Sequence, residues 1–273
     1  MGRRTMTATR RLEGRQRVDR VAFLIPTLNE APSIGLVIES IPVAELADNG
    51  YETAVYVVDG RSADQTREIA VQKGAQVITE ERSGKGAAIQ TAFLAVDADY
   101  VIIADGDNTY PVSVATEMLR LLQTNDVVIG SRLKGSIEPG AMTRLNVVGN
   151  ILLTSLARLL FHAKISDVCT GLWGYRRDAL RRLELAADGF EIEAEMFAEC
   201  VSKGLRIVEI PITYRAREDQ PKLSSLRDGV KIGLFLCKRR VRLAQLNRGL
   251  SESEKTERSE RVKLMGEETD AGH

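Results

Sequence analysis

The chain has 273 residues, of which 44% are hydrophobic, and this suits one large domain or one domain with tails. Its 38 basic and 38 acidic side chains give a formal net charge of zero, so the charge does not point to nucleic acid as a partner. With two histidines in all, a histidine-based metal site and Ser-His-Asp chemistry are nearly excluded.

The first half of the chain alternates predicted strands with predicted helices. Residues 1–19 are polar and basic without periodicity, which predicts a disordered tail. Apolar runs then predict five buried strands: Val21–Ile25, Tyr51–Val58, Gln76–Thr79, Tyr100–Ala104 and Asp126–Ile129. The segments between them predict helices over residues 33–41, 62–73, 87–96 and 112–123. This alternation predicts an α/β domain over residues 20–225, with a mostly parallel sheet and helices on both faces.

The second half of the chain is less regular. It is predicted to hold a long helix with an apolar face, Arg144–Phe161, a loop over 166–175, and helices over 177–183 and 191–203. A strand over 205–210, extended to 214, precedes a polar loop over 215–225. Residues 226–247 predict a C-terminal amphipathic helix with a basic face. The charged remainder, 248–273, predicts a second disordered tail.

Two acids, Asp105 and Asp107, follow the fourth predicted strand with one glycine between them. Carboxylates this close repel each other unless a cation is present. Mg²⁺ is a natural candidate because it takes few carboxylates and completes its shell with phosphate oxygens and water. In isolation, this pattern is more often a turn whose Asp and Asn cap the next helix. Ligands of such sheets bind beyond the carboxyl ends of the strands, where Pro26, Asp59 and the acid pair all fall.

Three further positions in these loops have chemistry of their own. The stretch Ser83–Gly86 resembles a phosphate-binding loop, but it lacks the Walker spacing, which disfavours a P-loop NTPase. Its glycines would let backbone approach a ligand, and Lys85 supplies a cation. Asp59 could accept a hydrogen bond from a nucleobase or ribose, or cap the helix near Ser62. Glu30 could accept from a ribose hydroxyl or remain solvated.

Four loops together resemble the family 2 glycosyltransferases, which have the Rossmann-like GT-A fold. The motifs are, in chain order, Ile25–Glu30, Val57–Thr66, Gly84–Gly86 and Asp105–Asp107. In the second half, four stretches resemble the dolichyl- or polyprenyl-phosphate sugar synthases of mannose or glucose type: Gly130–Arg132, Asp167–Gly174, Glu191–Glu195 and Arg217–Leu223. The resemblance covers about residues 21–229 and leaves the tails outside.

The resemblance implies a role for each matching residue. Those expected to hold the nucleotide are Pro26, Thr27, Leu28, Glu30, Asp59, Lys85 and Asp105. The metal, Mg²⁺ or Mn²⁺, would be held on the donor diphosphate by Asp105 and Asp107. Those expected to bind phosphate are Arg132 and Arg144, on the acceptor, and Arg217 and Lys222. Asp107, Arg132 and Arg144 would act most directly in the transfer itself.

Two positions depart from the family's pattern. Gly60 stands where the family often has a second acid, which leaves the choice between a uridine and a guanosine donor open. Thr109 stands where the family often has Gln, so one metal ligand is expected to be a hydroxyl or a water instead.

The implied activity is that of an inverting, metal-dependent hexosyltransferase that moves a sugar from a UDP- or GDP-sugar to polyprenyl or dolichyl phosphate. A phosphate acceptor is already anionic near neutral pH, so it needs no general base. The first alternative is transfer by the same fold to a glycan or small-molecule hydroxyl, which a carboxylate base would help. The candidate bases are Asp167, Glu191, Glu193 and Glu195, although Glu191 and Glu193 are more typical of helix capping and helix-surface charge. A sugar nucleotidyltransferase is the alternative of another class, but the Gly-rich basic loop expected after its first strand is missing.

The sequence also gives an expectation about cellular location. The three cysteines lie far apart, which indicates free thiols in a reduced compartment. No signal peptide is recognised, and the longest candidate membrane span, Ile151–Phe161, is too short and carries Arg158. We therefore expect a cytoplasmic protein, peripheral on the cytoplasmic face of the membrane and touching its surface through the helix over 226–247. Packing of that helix on its own domain, or on a second copy in a homo-oligomer, is equally compatible with its pattern.

Overall fold

A computed structural model describes residues 18–217 and 227–245 of the chain. Within them, seven strands form a single sheet with the order β3-β2-β1-β4-β6-β5-β7. The strands are β1 (Asp19–Thr27), β2 (Tyr51–Asp59), β3 (Gln76–Thr79), β4 (Tyr100–Ile103), β5 (Val127–Ile137), β6 (Trp173–Arg176) and β7 (Ile207–Tyr214).

Helices follow most of the strands, as the sequence predicts. They are α1 (Ile34–Glu39), α2 (Val43–Asp48), α3 (Thr66–Gln72), α4 (Lys85–Ala95), α5 (Ala115–Leu122), α6 (Arg144–Phe161), α7 (Arg177–Leu180), α8 (Ile192–Ser202) and α9 over residues 227–245. The α2 helix was not predicted, because it has six residues and Leu46 is its one buried side chain, which gives no helical period. Asp19 belongs to β1 and not to the predicted tail. Residues 1–17 and 248–273 lie outside the described residues.

The sheet is mostly parallel, as predicted, and β6 is the exception. β1 runs parallel to β2 and β4, and the pairs β2–β3 and β5–β7 are also parallel. β6 is antiparallel to both β4 and β5. The prediction of a loop over 166–175 is therefore wrong at its end. The four residues of β6 are too few for a periodic signal. The strand is fixed by its pairing with β4 and β5 and by full burial of Trp173 and Tyr175, whose rings stack with centroids 5.9 Å apart.

Side chains that alternate along the strands form two hydrophobic cores, one on each face of the sheet. Along β1, Ala22 and Leu24 point to the first core, whereas Phe23 and Ile25 point to the second. The first core is covered by α4, α6, α8 and α9, and the second by α1, α3 and α5. Full burial of one such side chain contributes roughly 1.5–3 kcal/mol, so packing against the sheet holds these short helices in place. Helices on both faces are confirmed.

The helices α6 and α9 lie against each other beside the first core. A Cβ at Gly233 of α9 would lie 3.5 Å from a Leu153 methyl group of α6, and Arg240 Nε donates to the Leu160 carbonyl at 2.7 Å. The α6 helix, with 18 residues and a mean hydropathy of 1.2, is by length and composition able to cross a membrane, and it is longer than the candidate span taken from the sequence. Among the described residues it is the one helix of this kind, and core helices pass the same test.

Candidate active site

The carboxyl ends of β1, β2 and β4 meet at one edge of the sheet, which brings the predicted loops together. Thr27 of β1 pairs with Asp59 of β2, and β4 leads directly into the turn that holds the two acids. This turn passes close to β1, because a Cβ at Gly106 would lie 2.6 Å from the Thr27 methyl carbon. Glycine is therefore required between Asp105 and Asp107.

Asp105 lies in a tight setting and forms an ion pair with Lys85. Its Oδ1 is 2.5 Å from Lys85 Nζ. A Cβ at Gly171 would lie 2.5 Å from Asp105 Oδ2, so the glycine makes room for the carboxylate. Burial raises the pKa of Asp105 and the charge of Asp107 adds to the rise, while the Lys85 ammonium opposes it.

Asp107 has both carboxylate oxygens occupied by donors from this chain. Oδ1 accepts from the Thr109 N–H at 3.2 Å and from its hydroxyl at 2.6 Å. Oδ2 accepts from Arg217 Nη1 at 3.0 Å. The Thr109 hydroxyl, which stands where the family often has Gln, thus orients the second acid in this structure.

The charges at this edge fit a divalent cation. Four carboxylates face two cationic side chains: Asp105, Asp107, Glu30 and Glu193 against Lys85 and Arg217. The excess of two negative charges is what a divalent ion would neutralise. No group of three or more His, Cys, Asp or Glu ligands occurs in the described part of the chain. Such an ion would therefore share its shell with phosphate oxygens and water, as Mg²⁺ commonly does.

Lys85 is the first residue of α4, and it bridges two acids from different halves of the chain. Its Nζ lies 2.5 Å from Asp105 Oδ1 and 2.5 Å from Glu193 Oε1. Burial opposes its charged form, but the two carboxylates hold the pKa of Lys85 above its ordinary value. Burial likewise raises the pKa of Glu193, and Lys85 offsets part of the rise. The interpretation of Glu193 as helix-surface charge is wrong, because α8 places it 6% exposed at the site.

The glycines beside Lys85 serve the packing of the protein itself. A Cβ at Gly84 would lie 2.1 Å from the Asp188 carbonyl oxygen, and one at Gly86 would lie 1.9 Å from that of Ala187. The Gly86 N–H donates to the Asp188 carbonyl at 2.8 Å. The start of α4 therefore packs directly against the backbone of the segment that precedes α8, and the two glycines permit this close contact.

The loops after β1 and β2 are held together by hydrogen bonds. The Asn29 N–H donates to Ser62 Oγ, and the Glu30 N–H donates to Thr66 Oγ1, both at 2.8 Å. Asp59 is fully buried, and it accepts from the backbone N–H and the hydroxyl of Ser62. In this structure its carboxylate thus orders the turn after β2. It does not cap a helix, because α3 begins at Thr66 after Gln65, so the predicted helix start near Ser62 is wrong. Pro26 is the next-to-last residue of β1 and is partly exposed, and Leu28 begins the loop that follows and is exposed.

Arg132 is buried beside the acid pair and is held from several sides. Its Nε and Nη2 donate to Asp167 at 2.7 Å, and Nη2 also reaches the Cys169 carbonyl at 2.8 Å. Its guanidinium lies 5.9 Å from the ring centroid of Tyr110 and 5.3 Å from that of Tyr214. Burial works against the charge of Asp167, but Arg132 and its hydrogen bonds keep the pKa of that carboxyl below its ordinary value. Within the described residues, Nη1 of Arg132 makes no hydrogen bond, so this nitrogen remains able to donate to a ligand.

The remaining predicted phosphate-binding residues are placed differently. Arg144 begins α6, is exposed and forms no ion pair with another described residue. Lys222 lies outside the described residues. The two tyrosines that flank Arg132 were not singled out from the sequence, and no spacing signal connects Tyr110 with Tyr214, since they meet only through the fold.

Several known proteins are similar to this chain in sequence. The profile of glycosyl transferase family 2 matches residues 22–184. Glycosyltransferase AglJ of Haloferax volcanii is 39% identical over 225 residues, covering 81% of this chain and 72% of the relative. A dolichyl-phosphate hexose transferase of the same organism is 37% identical, covering 81% and 93%. An undecaprenyl-phosphate mannosyltransferase of Micrococcus luteus is 30% identical, covering 73% and 85%.

A solved structure gives the same result for the fold. Glucosyl-3-phosphoglycerate synthase of Mycobacterium tuberculosis, in complex with Mn²⁺ and UDP-glucose, superposes with a TM-score of 0.64 and 25% identity over 81% of this chain and 79% of its own. The fold is therefore the GT-A fold that the sequence motifs implied. The chain belongs to glycosyl transferase family 2.

Proposed function

We propose that this chain is an inverting hexosyltransferase that moves a sugar from a nucleotide diphosphate donor to polyprenyl or dolichyl phosphate. The proposal rests above all on the acid pair Asp105 and Asp107, with Lys85 against the first acid, at the carboxyl ends of the parallel strands. The two relatives named for dolichyl phosphate and undecaprenyl phosphate support the acceptor class, and the neighbour with bound UDP-glucose supports the donor class.

In this proposal the chain positions the donor and withdraws charge from its leaving group. The segment from Pro26 to Glu30, at the end of β1 and in the loop that follows, faces the nucleoside together with Asp59, and Lys85 borders the diphosphate. A bound Mg²⁺ or Mn²⁺, held by Asp105 and Asp107, would neutralise charge on the departing nucleotide. The neighbour's Mn²⁺ supports a divalent ion and leaves the choice between the two metals to experiment.

In the proposal, arginine side chains bind the acceptor phosphate and bring it to the donor. It is already anionic, so positive charge beside the donor diphosphate matters more than a base. Arg132 supplies a fixed guanidinium with one edge uncommitted, and Arg144 supplies an exposed one at the start of α6. Arg217 and Lys222 would add charge on the donor side.

A second candidate acceptor, a glycan or small-molecule hydroxyl, is favoured by one observation. Glu193 is a buried carboxylate at the site that pairs with Lys85 through Oε1, whereas both oxygens of Asp167 accept from Arg132 and Glu195 accepts from the N–H groups of Ala186 and Ala187. Glu193 is thus the carboxylate of that group best placed to act as a base. Family membership argues against the nucleotidyltransferase alternative.

We also propose that the chain works as a peripheral protein on the cytoplasmic face of a membrane. The support is the composition of the surface shared by α6 and α9. Its exposed apolar side chains are Leu145, Val148, Ile151, Leu152, Leu159, Val230, Leu234 and Val241. Its exposed charged side chains are all basic: Arg144, Arg158, Arg227, Lys231, Lys238 and Arg242. An apolar face with a basic rim suits an anionic lipid surface.

A transfer assay tests the proposal directly. Purified protein, a panel of UDP- and GDP-sugars and a short polyprenyl phosphate are incubated with Mg²⁺ or Mn²⁺, and products are identified by mass spectrometry. We expect a lipid-phosphate sugar that disappears with chelator. We expect Asp107→Ala to lower the rate at least a hundredfold, about 3 kcal/mol, while the circular dichroism spectrum is unchanged. A product formed only on hydroxyl acceptors would refute the acceptor proposal, and full activity of Asp107→Ala after chelator washing would refute the metal assignment.

A further inference from the structure

Arg217 joins two carboxylates that belong to different parts of the donor site. It follows β7, and its side chain is 17% exposed. Its Nη1 donates to Asp107 Oδ2 at 3.0 Å, and its Nη2 donates to Glu30 at 2.7 Å and 3.0 Å. One guanidinium therefore pairs with both a carboxylate assigned to the metal and a carboxylate assigned to the nucleoside.

This pairing occupies one of the two oxygens through which Asp107 could bind a divalent ion. Asp107 Oδ1 already accepts from Thr109, so Arg217 holds the other oxygen. Lys85 pairs with Asp105 in the same way. Both acids thus have a cation of this chain in place, and an incoming metal ion must compete with it.

We propose that Arg217 makes metal binding conditional on the nucleotide diphosphate. Without the donor, Arg217 stays on Asp107 and Glu30 and keeps the affinity of the site for free divalent ions low. With the donor, Arg217 exchanges these carboxylates for the diphosphate, which a guanidinium binds well. Asp107 then becomes available to the metal, and Glu30 to the nucleoside. This inference rests on the proposed function, because it takes the donor to be a nucleotide diphosphate.

The proposal predicts that the binding of the metal and the binding of the nucleotide are coupled. A substitution of Arg217 should therefore change the two affinities in opposite directions. Removing Arg217 should strengthen the binding of metal alone, since its competitor is gone. It should weaken the binding of nucleotide diphosphate, since its partner is gone. Arg215 provides a matched control, because it lies two residues away, carries the same charge and forms no ion pair with another described residue.

The experiment measures binding and not turnover. Mn²⁺ binding to the full chain is followed by electron paramagnetic resonance, and UDP and GDP binding in the presence of Mn²⁺ is followed by titration calorimetry. We expect Arg217→Gln to bind Mn²⁺ alone about tenfold more tightly than the wild type and to bind the nucleotide about tenfold more weakly, within the range usual for coupled ligands. Arg217→Lys, which keeps the charge, should stay near the wild type for Mn²⁺, and Arg215→Gln should match the wild type in both.

Two results would overturn the inference. One is an Arg217→Gln protein that binds Mn²⁺ alone no more tightly than the wild type, and the other is a change of the same sign for metal and nucleotide. Circular dichroism checks folding, and Arg217→Met, which keeps the aliphatic stem, gives the same contrast if the glutamine variant unfolds. A wild type that transfers sugar while Arg217→Gln shows no tighter Mn²⁺ binding would refute this inference alone. A wild type that transfers no sugar would instead refute the proposed function.

Discussion

Arg132 and Asp167 show how a single residue's role depends on contacts that the sequence does not reveal. From the sequence, Arg132 is expected to bind the acceptor phosphate, and Asp167 is one of four candidate bases. In the structure they form a buried pair, with Asn150 donating to Asp167 Oδ1 at 2.7 Å. The sequence shows a cation and an anion at these positions. It does not show that they pair, because the pairing requires α6, β5 and the segment before β6 to meet in the fold.

Asp167→Asn is expected to destabilise the fold strongly. The substitution leaves the buried Arg132 guanidinium without its counter-charge, and breaking such a pair costs about 3–5 kcal/mol. Urea denaturation at pH 7 measures the free energy of unfolding. The double variant Arg132→Met with Asp167→Asn should lose less than the sum of the single variants, and simple additivity would contradict the pairing.

Gly171→Ala is expected to impair the site more than the fold. Its added methyl group would lie 2.5 Å from Asp105 Oδ2, so the carboxylate must move from its position beside Lys85. We expect a tenfold or greater loss of kcat/KM with a raised metal requirement, since small displacements at a reacting centre are costly. Gly149→Ala is the control, because a Cβ there meets nothing within 4 Å, and an equal loss in that variant would contradict the explanation.

At the scale of elements, the sequence predicted long and strongly patterned units well and short ones poorly. The parallel strands, α6 and α8 have clear apolar patterns, and the loops that follow β1, β2 and β4 carry the family's motifs. By contrast, β6 and α2 are stabilised mainly by what packs against them. The role of Gly84 and Gly86 also depends on a partner from the other half of the chain, so a phosphate loop and a packing contact looked alike.

The segment between β3 and α4 should respond to acid through Glu80. Burial opposes its charge, but hydrogen bonds from Arg82 and Thr91 hold the pKa of Glu80 at about 2, below its ordinary 4.5. Because the folded pKa is the lower one, the stability it contributes is complete above about pH 4.5 and is lost as the pH falls toward 2. We expect Glu80→Gln to lower the free energy of unfolding by about 1 kcal/mol at pH 7. Urea denaturation along a pH series should show this difference shrinking below pH 4.5, and a constant difference would contradict the assignment.

At the scale of the whole molecule, charge and apolar surface are distributed unevenly although the net charge is zero. The α6 and α9 surface has apolar side chains and basic ones, while the donor site on the sheet edge has an excess of carboxylates. The sequence suggested the amphipathic pattern of α9. It did not suggest that α6 would contribute a second apolar face, because which side of α6 remains exposed is decided by packing on the sheet.

A pair of substitutions on this surface tests membrane binding. Leu152→Glu combined with Leu234→Glu replaces one exposed apolar side chain on α6 and one on α9 with negative charges. We expect co-sedimentation with vesicles containing anionic lipid to fall at least tenfold, since charge repulsion adds to the loss of apolar burial. Leu94→Glu, on α4 with 90% of the side chain exposed, is the matched control. Equal vesicle binding by the double variant and the wild type would contradict a membrane role for this surface.

The contact of Gly84 and Gly86 with the backbone of Ala187 and Asp188 has a consequence for protein engineering. It links the lysine of the donor side to the helix that supplies Glu193, so the two halves of the chain cannot be exchanged independently. A chimaera that takes its acceptor half from a relative should fold and function only if residues 83–86 and 184–193 come from the same parent. Donor specificity and acceptor specificity would then have to be transplanted as one block.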